Sequence, residues 1–473
     1  MNDNFGCEGS QRRAGAMSSV QVSRRGLLGG ALSASSLLVA GVPLQACAAV
    51  RGRTPTGSLV RGNPLHEPLN VQVSHGGIPG RGHFEPSLAV SPRNPRNLLA
   101  VCSPGPNAYV SLDGGLTWRS GGALRLPPGS GGGNMSAAFD STGRGFACGS
   151  FGSAVKAGTS VLVWRTDDGG RTFTRSVVAG QGANLDRPWL TAERRSPGVV
   201  HVVWSEGSAA GVTTGLRYAR SSDGGRTFGA PRTIVRRTAG LGNPVVACGP
   251  PGTVYILYSA GRGAVGRVAP DSPSTLAVVC SHDQGRTFQP PITLGRSTDF
   301  LSFPGLSGGT GSALPAIAAH PDSGLVCVAF IDHAAGASRA AVLLAASRDG
   351  GRTWSRATAL RPHDQVIYFQ PEVAIDDTGR IGVMAFAMNQ SEVSVVLMIS
   401  EPGPLRFASP ITVTDQPFDP AKASYELGDY QALATTPGAF HPLWNDTRTG
   451  ELQLFTAAVP VTGKSASTDA RKS

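Results

Sequence analysis

Ser221-Ser222-Asp223-Gly224-Gly225-Arg226-Thr227-Phe228 is one of five copies of a single phrase in this chain. The others are Ser111-Leu112-Asp113-Gly114-Gly115-Leu116-Thr117-Trp118, Thr166-Asp167-Asp168-Gly169-Gly170-Arg171-Thr172-Phe173, Ser281-His282-Asp283-Gln284-Gly285-Arg286-Thr287-Phe288 and Ser347-Arg348-Asp349-Gly350-Gly351-Arg352-Thr353-Trp354. The pattern is S-x-D-x-G-x-T-[WF], with Thr166 in place of Ser in one copy. Its residue types describe a tight turn. An Asp carboxylate can accept backbone N–H groups, Gly supplies a positive φ, and the closing aromatic can tuck between sheets. The structural Asp positions are therefore Asp113, Asp168, Asp223, Asp283 and Asp349.

The turn belongs to a longer repeat. A short strand of the form x-Pro-x-apolar-Ala precedes each copy, as in Glu85-Pro86-Ser87-Leu88-Ala89 and Asn243-Pro244-Val245-Val246-Ala247. Anchored on Pro86, Met135, Pro188, Pro244, Pro315, Pro371 and Tyr430, seven units follow one another 49 to 71 residues apart. Each unit holds about four short, β-branched-rich strands separated by Gly, Pro, Asp and Asn turns, which is one blade of a propeller. In unit six the box has decayed to Ser400-Glu401-Pro402-Gly403-Pro404-Leu405-Arg406-Phe407, and unit seven has none. Unit seven ends after its third strand, Leu452-Gln453-Leu454-Phe455-Thr456, while a spare strand, Leu69-Asn70-Val71-Gln72-Val73, precedes unit one. The reading is a single all-β propeller of seven four-stranded blades over residues 69–460, closed by the N-terminal strand.

The repeated box resembles the Asp-box of the sialidase superfamily. That resemblance implies a β-propeller, and six blades is the alternative count it carries. It also implies an activity on glycans, with three Arg holding a substrate carboxylate, a Tyr nucleophile activated by a Glu, and an Asp as acid/base. On this chain the roles fall to Tyr430 as nucleophile, Glu372 or Glu426 as its base and Asp429 beside it. Arg187, Arg339 and Arg448 would form the clamp. The family's Arg-Ile-Pro element is missing, since Gly77-Ile78-Pro79 lacks the Arg.

Propeller geometry sorts the remaining polar residues. First-strand starts and second-to-third-strand loops should meet on one face around the central channel, opposite the Asp-box turns. That face receives His83 with Glu85, Asn134, Asp186 with Arg187, Asn243, Gln370 with Glu372, Asp429 with Tyr430, and the strand ends Glu206, Asp332 and Asp446. These form the candidate substrate-binding set for a glycan or other anionic ligand at the propeller mouth. An acidic residue at a strand end equally often bonds its own turn, so binding of protein or polysaccharide without catalysis is the alternative function.

The N-terminus reads as an export signal over residues 1–48, followed by a linker over 49–68. Ser23-Arg24-Arg25-Gly26-Leu27-Leu28 resembles a twin-arginine signal, and the apolar stretch behind it is short for a membrane span. Leu44-Gln45-Ala46-Cys47 resembles a lipoprotein processing site with Cys47 lipidated, whereas Ala46-Cys47-Ala48 reads as an ordinary cleavage site. A periplasmic or extracellular protein follows, with membrane attachment only through such an anchor. Residues 461–473 form a polar tail expected to be disordered.

The formal charge of +11 falls to about +9 without the first 47 residues, and four Arg sit at one fixed box position. No basic run interleaved with aromatics suggests a nucleic-acid partner. Scattered His and the absence of H-E-x-x-H, phosphate-loop and G-x-S-x-G patterns leave no metal or cofactor expected. Cys102, Cys148, Cys248, Cys280 and Cys327 read as free thiols within strands, and a monomer is expected.

Overall fold

The fold is described from a computed structural model. It covers residues 68–461 except 77–81, 154–157, 209–212, 237–239, 262–272, 299, 303–309, 334–339, 361–365, 404 and 423–426. The export signal, Cys47, the linker up to residue 67, the tail from 462, Arg339 and Glu426 lie outside the described residues.

Among these residues the chain forms seven antiparallel blades and no α-helix. Blade 1 runs from Phe84–Val90 to Arg119–Ser120, blade 2 from Ser130–Phe139 to Val177–Gly182, and blade 3 from Asn184–Ala192 to Arg232–Arg236. Blade 4 spans Leu241–Cys248 to Ile292–Thr298, blade 5 Ala316–Ala319 to Thr358–Ala359, and blade 6 Ile367–Ile375 to Ile411–Thr412. Each innermost strand touches that of the next blade, and the strand of blade 7, Ala432–Thr436, returns to that of blade 1. The count is seven, not the six of the alternative. The longest repeat, between Pro244 and Pro315, accommodates an extra hairpin, Phe300–Ser302 with Thr310–Ser312.

The N-terminal segment closes the ring. Val71–Gln72 pairs with Gln453–Thr456 as the outermost strand of blade 7. Ser74 reinforces it, its hydroxyl donating to Gln453 Oε1 (2.6 Å) and accepting the Leu454 amide (2.8 Å). The exposed edge that blade 7 would otherwise present is thereby paired.

Blades pack through their faces. Phe146, Val161 and Val163 of blade 2 meet Val200, Val202 and Trp204 of blade 3 in one buried cluster, and each large side chain so buried contributes roughly 2–3 kcal/mol. The five cysteines are free, and burial pushes the Cys148 and Cys327 thiols up to about 12.

The five boxes share one hydrogen-bond scheme. In blade 3, Ser221 Oγ donates to Asp223 Oδ1 (2.7 Å) and accepts the Gly225 amide (2.9 Å), while Thr227 donates its amide and hydroxyl to the two Asp223 oxygens (3.0 and 2.6 Å). Slight burial would raise this carboxyl, but the bonds from Thr227 and Ser221 outweigh it and hold the group down to about 2. The same bonds bring Asp113 and Asp283 to about 2.

The second Gly of the box does a job that the motif alone does not reveal. In four of the five boxes it is the point where the box rests tightly on the preceding blade, whereas a Cβ on Gly115 would find nothing nearer than 3.6 Å. A Cβ on Gly225 would lie 2.8 Å from Phe146, on Gly285 1.9 Å from the Tyr218 hydroxyl, and on Gly351 2.8 Å from Tyr255. Gly285→Ala combines a positive φ of 72° with that collision and should cost about 2–4 kcal/mol in urea unfolding. Gly114→Ala, where φ is 85° but no atom lies within 4 Å, should cost only about 1 kcal/mol. Equal losses would show that backbone conformation, not blade docking, fixes the second Gly.

Candidate functional site

The strand register confirms the sorting of faces. Within blade 3, Asp186 pairs with Ser205 and Val200 with Ser221. Asp186 and Arg187 therefore lie at the opposite end of the blade from the box that follows Ser221.

Five innermost strands carry the same irregularity at this end. The register slips by one extra residue between Phe84 and Ser87, Gly133 and Ser136, Asp186 and Trp189, Gly242 and Val245, and Phe369 and Glu372. In each bulge one non-glycine residue takes the left-handed conformation: Glu85 (φ 54°), Asn134 (55°), Arg187 (47°), Asn243 (55°) and Gln370 (48°). That conformation costs an L-residue about 1–2 kcal/mol, and bulges re-aim side chains where pairing stops. Five repeats of a costly feature at one end of the ring mark that end as the candidate site.

The side chains meet across blades. Tyr430 of blade 7 donates its hydroxyl to the Met135 carbonyl of blade 2 (3.4 Å), and its ring meets Trp189 of blade 3 edge-on at 5.4 Å. Arg187 lies over both rings, 4.7 Å from that of Tyr430 and 5.7 Å from that of Trp189. Only 4% of Arg187 is exposed, and its Nε and one terminal nitrogen are buried without a hydrogen-bond partner. A buried cationic donor left unpaired is costly, and it is suited to an acceptor oxygen brought by a ligand.

Carboxyl groups surround this cation. Asp186 accepts the Arg187 amide (2.9 Å) and the Asn134 side-chain amide (3.0 Å). Burial raises its pKa, opposed by those bonds and by the Arg187 charge. Glu85 is buried, accepts a hydrogen bond from Ser103 (3.0 Å), and is raised by desolvation and then by the neighbouring Asp429. Glu372 keeps partial exposure, and desolvation pushes it up to about 8 against the pull of Arg187. Burial thus favours the protonated form of Glu372 near neutral pH. It pushes all three carboxyls towards their neutral forms, and the Arg187 charge opposes it at each.

Several sequence expectations change. Tyr430 is 3% exposed, and burial together with Glu85 raises its hydroxyl well above the ordinary value. Its hydrogen bond goes to a carbonyl, not to Glu372, and its ring lies under Arg187, so no carboxylate is placed here to activate its hydroxyl. Arg448 does not join Arg187. It bonds Asp446 (2.7 Å), Asp415 and Asn70 (3.2 Å) and lies over Phe455, bracing the closing strand. Asp446 is fully buried beneath it and also accepts the Trp444 indole N–H (3.1 Å). Both are structural because their mutual pairing consumes the charge a substrate would need. Glu206 pairs with Arg217 (3.3 Å), and Asp332 accepts a bond from Thr298 (3.3 Å). Of the three clamp arginines, only Arg187 reaches the carboxyl cluster among the described residues.

Glu85, which the strand pattern also delivers to this face, occupies the slot before the repeat's Pro that Arg187 and Gln370 also occupy, whereas Trp189 was missed as a site residue. Trp189 looked like a core strand residue, and no local pattern separates the two roles.

No helix among the described residues is long and apolar enough to cross a membrane, and no group of three or more His, Cys, Asp or Glu is placed to hold a metal ion there. Tyr430→Phe should leave stability within about 1 kcal/mol, since one long hydrogen bond is lost. Tyr430→Ala should cost about 3–5 kcal/mol by removing the ring under Arg187. Urea unfolding checks both, and a Phe variant as unstable as the Ala variant would contradict a structural role for the ring.

The family model for the BNR repeat-like domain matches residues 200–428. No curated protein matches the chain. Among solved structures, an α-L-arabinofuranosidase from Fusarium graminearum is similar at 14% identity and a TM-score of 0.48, covering 70% of this chain and 97% of its own. A Hadza microbial sialidase is similar at 16% identity and a TM-score of 0.44, covering 77% and 73%. An ulvan lyase is similar at 11% identity and a TM-score of 0.47, covering 80% and 94%. Identities this low transfer no substrate or reaction. The chain is thus a seven-bladed β-propeller with five Asp-boxes, similar over residues 200–428 to the BNR repeat-like domain.

Proposed function

We propose that the chain is an exported, glycan-acting propeller that cleaves a glycosidic bond at the bulged end of the ring. The observation that carries this reading is the grouping of Glu372, a partly exposed carboxyl that burial pushes towards its protonated form, and Asp186 around the unpaired buried cation Arg187. Glycoside hydrolysis uses a pair of carboxyl groups, one of them protonated. Glu372 would give its proton to the glycosidic oxygen as the bond to the anomeric carbon breaks. Asp186, which burial raises against the pull of its two donors and of Arg187, would in its ionised form support the positive charge at that carbon or activate the incoming water. Arg187 would hold a substrate oxygen with its two unpaired nitrogens.

A second reading is binding without chemistry. It is favoured by Tyr430 and Trp189, which reach across from blades 7 and 3 and fill space a substrate would use. Turnover separates the two. A panel of fluorogenic aryl glycosides, including an α-sialoside and an α-L-arabinofuranoside, should contain at least one substrate. Glu372→Gln should lower kcat by about 100-fold or more, while Tyr430→Phe should retain most of it. Because the acid must be protonated, kcat should decline as pH rises through about 8. A panel without turnover, or unchanged rates in Glu372→Gln, would contradict hydrolysis at this site.

Export rests on Arg24-Arg25 and the short apolar run behind them. Mass spectrometry of protein recovered from outside the cytoplasm should show a mature N-terminus at Cys47 carrying lipid, or at Ala49 without it. An intact Met1 or Met17 start would contradict it.

A further inference from the structure

The face opposite the carboxyl cluster carries a recess between the Asp-boxes of blades 3 and 4. Its volume is about 520 Å³, and Arg220, Arg232 and Arg286 line it together with Ser222, Thr227 and Phe228. No acidic side chain is among its lining residues.

The three guanidinium groups are held in place by neutral acceptors. Arg232 donates to the carbonyls of Gly285 and Arg286 and lies 5.5 Å from the Tyr218 ring. Arg286 bonds the Asp283 carbonyl (3.0 Å) and Gln284 Oε1 (3.2 Å), and Arg220 bonds the same Gln284 oxygen (3.2 Å). Arg220 Nε is buried and has no partner. The groups are thus positioned without being neutralised.

Blade 2 shows what neutralisation looks like at the same place in the repeat. Arg165 stands where Arg220 stands, one residue before the box. The box's second residue there is Asp167, which binds Arg165 (3.2 Å) and Arg144 (2.7 Å). In blade 3 that position is Ser222, which lines the recess instead. One exchange within the repeat therefore leaves the blade 3 cation open to a ligand.

We propose that this recess binds an oxyanion-bearing sugar, sulfated or carboxylated, of an acidic polysaccharide. Guanidinium groups suit sulfate and carboxylate geometry, Ser222 and Thr227 offer hydroxyls, and Phe228 offers an apolar face for a sugar ring. A recess of this volume falls within the range of small-ligand sites and fits one or two rings. A nucleic-acid backbone would instead require a basic track extending beyond one gap between blades. The site lies away from Glu372 and stands whether or not the other face is catalytic.

Calorimetric titration with a sulfated heparin-type disaccharide, its unsulfated counterpart and a short DNA duplex tests the assignment on the full protein. The sulfated sugar should bind, the unsulfated one about tenfold more weakly or less, and salt should weaken the complex. Ser222→Asp, which copies the blade 2 arrangement and so keeps the fold, should weaken binding about tenfold, as should Arg286→Gln. Glu372→Gln should bind as the wild type does, separating this site from the proposed active site. No binding of the sulfated sugar, equal affinity for the unsulfated one, tighter binding of the duplex, or indifference to both recess variants in correctly melting protein would overturn it.

Discussion

Everything at the centre of this molecule depends on the pairing of Val71–Gln72 with Gln453–Thr456. A propeller blade buries its faces only against its neighbours, so an unclosed ring would leave blade 7 with an open edge and the axis without one wall. The partners are separated by nearly the whole chain, and closure is therefore among the most non-local contacts in the fold. The bracing around it is correspondingly dense. Ser74 and Gln453 bond each other, and Arg448 joins Asp446 to Asn70 and Asp415. Residues that looked like ligand-binding charges are committed to holding the ring shut.

Closure in turn makes the bulges effective. Seven inner strands converge, and in five of them a left-handed residue turns a side chain at the same end. Neighbouring residues of those strands then meet partners from distant blades, as Arg187 does with Tyr430. The resulting cluster combines a cation short of hydrogen bonds with carboxyls that burial pushes towards their neutral forms. Two opposite requirements, desolvation and charge, are balanced by position and not by any single motif.

The fold was legible because its signals are local. Each box encodes its own turn through Asp, Gly and Thr, and seven anchored repeats set the blade count, including the decayed sixth and the truncated seventh. The ring closure was legible from arithmetic, a missing strand at one end and a spare one at the other. The site was legible only in part. Asp186, Arg187, Glu372, Asp429 and Tyr430 were placed on the correct face because strand direction fixes the face. Their chemistry was not, since roles depend on which side chains meet across the axis. Tyr430 resembled a nucleophile, and its burial, its carbonyl partner and its place beneath Arg187 are visible only in three dimensions. Asp446 and Arg448 resembled a rim until their mutual pairing was seen. The recess between blades 3 and 4 was illegible for another reason, since Ser222 matters only by comparison with Asp167 in three dimensions.

Whether the bulged end of the ring holds a sugar against Glu372 and Arg187 is tested most directly by crystals soaked in an oligosaccharide retained by the protein. The account predicts a sugar ring there, with an oxygen accepting from the two unpaired Arg187 nitrogens and the glycosidic oxygen within hydrogen-bond reach of Glu372. A sugar bound only elsewhere, with Arg187 still enclosed by Tyr430 and Trp189, would contradict it.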